Sequence, residues 1–235
     1  MFQSNLSPQK KHNSMENITL VDNLHHDVNG LYALDGSGNR TKVFVRQGSL
    51  DGCCVIYSLV MQMILQKWFN YDELFSREKC MRDDLVDKFK AKYLYKLKGR
   101  CKGGFNPRTV AKNLRNMGNG RLQIEDYTTF DGKDKVTTPK LLDIITQRLG
   151  EGIPVMVAYY NISQQYSHTA LAVGLMKTES QTRLFCLDPS SGLRRCDMWN
   201  CFIDTNPNGK DWLTIDNELV IIDGAMIVNS GGCPF

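Results

Sequence analysis

Apolar residues fall at positions 56, 59, 60, 63 and 64, the i, i+3, i+4, i+7, i+8 spacing of a helix that buries one stripe. That helix begins at the turn Asp51-Gly52-Cys53-Cys54. Leu85, Val86, Phe89, Tyr93 and Leu97 recur among charged residues and predict a second amphipathic helix over 82–97, ended by Gly99, Gly103 and Gly104. Asn106-Pro107 supplies an N-cap followed by proline at the first helical position, opening a helix through Met117 that Gly118 stops. Thr138-Pro139 repeats the device, with Leu141, Leu142, Ile144, Ile145 and Leu149 as the buried face and Gly150 and Gly152 as the stop.

Beyond Gly152 the pattern changes to short apolar runs over 153–160, 168–175, 183–187, 219–222 and 225–228, separated by Asn, Ser, Gly and Pro turns. These predict a mostly antiparallel sheet. Earlier, Gly36-Ser37-Gly38-Asn39 separates Leu31–Leu34 from Val43-Phe44-Val45 and predicts a hairpin. Helices first and strands last give an α+β chain of two lobes. The expected division is a flexible polar lead-in over 1–28 and one domain over 29–235, helical over about 47–150 and sheet over about 151–235.

At 235 residues, 42% apolar and 23% charged, the chain has the composition of one globular unit. No apolar run reaches transmembrane length, and the lead-in lacks the apolar core of a secretory signal, so the expected setting is cytoplasmic, without membrane association. The cysteines at 53, 54, 80, 101, 186, 196, 201 and 233 keep no interval of a zinc ribbon or disulfide framework. His12, His25 and His26 lie in the lead-in and His168 stands alone, so neither metal nor organic cofactor is expected. The net charge of +4 is concentrated in a basic block over 77–121 with Phe89, Tyr93, Tyr95 and Phe105 interleaved. That block supports an alternative, a non-enzymatic binding protein or scaffold. It carries no nucleic-acid-binding motif, and its simpler reading is a solvated helix face.

Two segments combine the groups that acyl transfer needs. Gln47-Gly48-Ser49-Leu50-Asp51-Gly52-Cys53-Cys54 runs straight into an apolar helix. A thiol at that helix start meets unpaired backbone N–H groups and the positive end of the dipole, which favour the thiolate and can also receive an oxyanion. Gln47 supplies a further side-chain donor. In the second segment His168 stands at the mouth of a strand, and Asp188-Pro189-Ser190 closes the next one. Adjacent antiparallel strands bring Asp188 beside His168, where it can orient the imidazole.

Gln47-Gly48 with Leu50 and Cys53 resembles the Gln-Gly-x-Leu-x-x-Cys signature of calpain-type peptidases. His168-x-Ala170-Leu171-x-Val173-Gly174 and Leu187-Asp188-Pro189-Ser190-x-Gly192 are similar to pieces of the bacterial double-glycine leader peptidases. Gln, Cys, His and Asp follow in the order of the papain-like cysteine peptidase superfamily. The resemblance spans roughly residues 43–192 and implies a helical lobe carrying the cysteine, packed on a sheet lobe carrying His168 and Asp188. It also implies a thiol hydrolase cutting a peptide or isopeptide bond of a protein or peptide substrate, with Cys53, His168, Asp188 and the oxyanion donor Gln47. Related deamidase, transglutaminase-type or toxin-like effector chemistry uses the same constellation. The chain departs from the family patterns in having a second cysteine after the first, in lacking the Cys-Gly-x-Cys loop, and in its segment after Asp188.

Helical periodicity leaves the nucleophile open, since Cys53 lies roughly 50° and Cys54 roughly 150° from the centre of the buried stripe at about 100° per residue. The Gln-x5-Cys spacing selects Cys53. Leu59 and Met61 fit the double-glycine pattern better when counted from Cys54. That pattern, with Gly231-Gly232 near the end of the sequence, also points to small residues before the cut.

Overall fold

The computed structural model describes residues 18–48, 52–76, 84–95, 104–130, 135–178, 181–205, 212–214 and 217–230. In chain order the elements are β1 (Ile18–Leu20), β2 (His25–Asp27), β3 (Gly30–Leu34), β4 (Arg40–Lys42), α1 (Cys54–Leu65), α2 (Tyr71–Phe75) and α3 (Asp84–Phe89), which runs on into a π-helical turn, Lys90–Leu94. There follow α4 (Pro107–Gly118), β5 (Leu122–Thr128), α5 (Thr138–Gly150), β6 (Val155–Asn161), β7 (Tyr166–Lys177), β8 (Thr182–Leu187), β9 (Cys201–Thr205), β10 (Trp212–Thr214) and β11 (Leu219–Ser230). The expected α+β class is present, with a cysteine-bearing helix packed on an antiparallel sheet that carries His168 and leads into Asp188.

The main sheet curls on itself: β7, β6, β11, β10, β9 and β8 pair in succession, and β8 pairs back onto β7. Every one of these ladders is antiparallel. Irregularities sit between Ala172 and Gly174 on β7 and between Ile222 and Gly224 on β11, where an extra residue bends a strand and re-aims a side chain. β1 adds to β7 and β5 to β11. A separate small sheet is formed by β2, β3 and β4.

The helix α1 lies against β7 and β6 on one side and touches β3 on another. Its apolar residues Val55, Ile56, Leu59, Val60, Met61, Met63, Ile64 and Leu65 are therefore buried all round, where the sequence predicts a single stripe. Two polar side chains are buried with them. Ser58 donates to the Thr169 carbonyl at 3.2 Å, and Gln62 Nε2 donates to the carbonyls of Pro154 at 2.8 Å and Met226 at 3.3 Å. In an apolar surrounding such bonds fix rotation as well as position, because breaking one strands a buried carbonyl.

Several expectations are met and others corrected. Asn106 caps α4 by accepting from the backbone N–H of Arg108 and Thr109, with Pro107 at the first helical position. At α5 the cap shifts to Thr137, which makes no side-chain capping bond, and Thr138 lies inside the helix. The hairpin forms between β3 and β4, so its second strand is 40–42 and not 43–45; Asp35 closes the turn by accepting from Ser37 N and Asn39 N. Residues 18–28, read as lead-in, instead form β1 and β2, because Ile18-Thr19-Leu20 finds a free edge of β7. β5 lies within the stretch expected to be helical and joins the main sheet. In the basic block, Phe89 and Tyr93 are core residues whose rings pack at 5.2 Å, and Lys90 is buried with its ammonium on the Glu73 carbonyl at 2.8 Å. The block's segments 77–83 and 96–103, and Gly231-Gly232, lie outside the described residues. Among the described residues no helix is long and apolar enough to cross a membrane.

Candidate active site

Cys54 is the first residue of α1 and Cys53 its N-cap. Cys54, Ser58 and Gln62 are spaced four apart and share one side of the helix. Because Ser58 and Gln62 are bonded to β7, to Pro154 just before β6 and to β11, that side faces the sheet and brings the Cys54 thiol to His168 on β7. The imidazole and Thr169 act on the thiol there, lowering its pKa. On the far side of the ring, His168 Nε2 lies 2.8 Å from Asp188 Oδ1, which leaves Nδ1 for the sulfur. Tyr159 and Tyr166 stand edge-on to the imidazole at 5.5 and 6.2 Å between centroids.

Asp188 follows directly on β8, the antiparallel neighbour of β7. Its Oδ1 also accepts from Ser190 N and Ser190 Oγ, each at 2.7 Å. Asn200 clamps the Asp188 backbone from both sides: its Oδ1 accepts from Asp188 N at 2.7 Å and its Nδ2 donates to Asp188 O at 2.8 Å. The turn after Asp188 reaches Gln47 as well, whose backbone N–H donates to Pro189 O at 2.9 Å. Gln47 lines the same cleft as Cys54, His168 and Ser190.

Burial opposes charge on all three groups, and their mutual bonds reverse it. Burial alone would depress the His168 pKa, yet Asp188 and then Cys54 raise it to about 10. Burial likewise pushes the Cys54 thiol up, but His168 and Thr169 bring it below the ordinary thiol value. Asp188 is held below the usual carboxylate range, against its burial, by His168 and Ser190. These mutual bonds favour a thiolate beside an imidazolium and an ionised Asp188 over the neutral groups. Burial and the nearby Asp188 charge push the Tyr159 phenol up, so it stays neutral beside them.

Cys54, His168 and Gln47 thus line one cleft of about 820 Å³, with Asp188 behind the His168 ring, whereas Cys53 is only 1% exposed and does not line it. The Gln-x5-Cys spacing selects Cys53, while the cysteine that lines the cleft is Cys54. Hydrophobic periodicity leaves the choice open because α1 is apolar all round; the usable signal is the small or polar run Cys54, Ser58, Gln62 on an otherwise greasy helix. Ser190 enters the sequence reading only as part of a motif, with no role, and Asn200 escapes it altogether because nothing local ties it to Asp188. Among the described residues no three His, Cys, Asp or Glu side chains gather as metal ligands would.

Among solved structures, the chain is similar to the crystal structure of UfSP from C.elegans, with a TM-score of 0.41 and 11% identity over 92% of this chain. The match spans 35% of the length of that protein. No protein-family model and no curated protein matches the chain.

Proposed function

We propose that the protein is a papain-like thiol hydrolase that cleaves a peptide or isopeptide bond, with Cys54 in place of Cys53 as nucleophile. The Cys54 thiolate attacks the carbonyl carbon, and negative charge moves onto the carbonyl oxygen. The Cys54 backbone N–H and the Gln47 side chain stabilise that oxyanion. The His168 imidazolium gives its proton to the departing amine, leaving a thioester; neutral His168 then takes a proton from water, which displaces the acid and regenerates the thiolate. Asp188 holds the ring in orientation.

The observation that carries this reading is that Cys54 at a helix start and His168 line one cleft, with Asp188 hydrogen-bonded to the far side of the imidazole. The Gln, Cys, His, Asp order is consistent with it, and Leu59 and Met61 fit the leader-peptidase-like pattern counted from Cys54, whereas the calpain-like spacing points to Cys53. The test combines iodoacetamide labelling near neutral pH, peptide mapping, and turnover of a fluorogenic peptide library. Expected is one fast-reacting cysteine, Cys54, with Cys54→Ala abolishing both labelling and turnover and Cys53→Ala retaining them. Full turnover in Cys54→Ala would sink the assignment.

A further inference from the structure

The cleft is also lined by charged side chains that the proposed chemistry does not use, Arg108, Asp126 and Asp223. Asp223 occupies the irregularity of β11 between Ile222 and Gly224, the kind of position at which a bulge turns a side chain out of the sheet's alternation. It lines the cleft, yet it is only 8% exposed. Among the described residues its carboxyl receives a hydrogen bond from its own backbone N–H alone, and no cation pairs with it. An ionised carboxylate left like this is costly unless something outside the fold completes it. Burial pushes its pKa up to about 6, so it is still mostly ionised at neutral pH.

The surroundings suit a long cationic side chain. Ala158, Gly224 and Ala225 keep the floor low, and a Cβ on Gly224 would come within 3.2 Å of the Tyr127 carbonyl oxygen. Tyr127, Phe130 and Tyr166 supply aromatic surface in the same cleft, Phe130 and Tyr166 being exposed. Aliphatic stems and cationic heads both favour such surfaces. The row His168, Tyr159, Ile222 crosses β7, β6 and β11, which sets Asp223 two strands, or about 10 Å, from the His168 backbone. An extended substrate rises about 3.3 Å per residue, so the feature lies within about three residues of the reacting carbonyl.

We propose that Asp223 is a specificity residue that receives a lysine or arginine side chain of the substrate within three residues of the bond attacked by Cys54. This rests on the hydrolase reading for what happens to the substrate, but not for what binds. A test separating the two uses the full chain carrying Cys54→Ala and fluorescein-labelled peptides. Lys, Arg, norleucine or Glu is placed in turn at each of three positions on either side of a central Gly-Ala, and binding is read by anisotropy. Expected is one position at which Lys or Arg binds about tenfold tighter than norleucine. Asp223→Asn should erase that preference, and Asp223→Lys should transfer it to Glu. Relief of the buried charge should also raise the Tm of Asp223→Asn at pH 7.5, whereas an aspartate kept for stability would lower it. Equal binding of all peptides, no binding of any, or a basic preference that survives in Asp223→Asn overturns the proposal. Turnover of the same peptides by the chain with Cys54 intact is scored separately. Basic-selective binding without cleavage leaves the subsite standing and removes the hydrolase, and unselective cleavage does the opposite.

Discussion

A thiol beside an imidazole that is itself held by a carboxylate loses its proton far below the pH at which an isolated thiol does. For Cys54 the shift is downward and for His168 upward to about 10, so both favour the ion pair at neutral pH. Alkylation of Cys54 should accordingly fall off at lower pH than that of an ordinary cysteine. In His168→Ala the thiol loses its main stabilising partner and burial dominates. Its alkylation rate at pH 6 should fall by about 10²-fold, following the thiolate fraction of an ordinary cysteine; a flat profile in that variant would mean another group holds the thiolate. Gln47 acts later, on the oxyanion. Gln47→Ala should leave alkylation unchanged while kcat drops by about 10²–10³-fold, a split that a stopped-flow and steady-state pair of measurements resolves.

Secondary-structure elements set these atoms in place through few polar anchors. Gln62 ties α1 to the carbonyls of Pro154 and Met226, and Gln62→Leu removes both bonds from the buried interface. A loss of about 1–3 kcal/mol in urea denaturation is expected, with slower alkylation of Cys54 because its helix can turn. Asn200 does the comparable service between β8 and β9. Asn200→Ala removes both bonds to the Asp188 backbone, so kcat should fall by about tenfold with KM little changed. Retained kcat would assign Asn200 to loop stability alone.

The whole molecule depends on a sheet that closes on itself and on a beginning that is stitched to it. Val21 N donates to Val173 O and Asp22 N to Gly152 O, at 3.0 and 2.9 Å, carrying the chain past β7 toward the small sheet. Gly152 has φ +78°, and a Cβ there would lie 2.5 Å from the Asp22 carboxyl carbon. Gly152→Ala therefore combines left-handed strain with a steric conflict, and a Tm several degrees below the parent is expected. An unchanged Tm would mean that Asp22 moves aside freely and that the stitch carries little load.

The sequence by itself determined the helix starting at the cysteines, the Asn106-Pro107 cap, the strands around His168 and Asp188, and the α+β class. These depend on periodicity and capping, which are local. It also nominated Gln47, His168 and Asp188, because their residue types and order are unusual for an apolar chain. Tertiary structure alone decided which cysteine meets the imidazole. Rotation of an all-round apolar helix is set by Ser58 and Gln62 finding carbonyls more than ninety residues away in the chain, and no local pattern records that choice. The same holds for β1, β5 and β9, whose short or mixed runs become strands only when a neighbouring edge offers hydrogen bonds, and for Asn200 and Asp223. A clamp across a loop and a bulge that turns a carboxylate into a cleft exist only once the strands have paired.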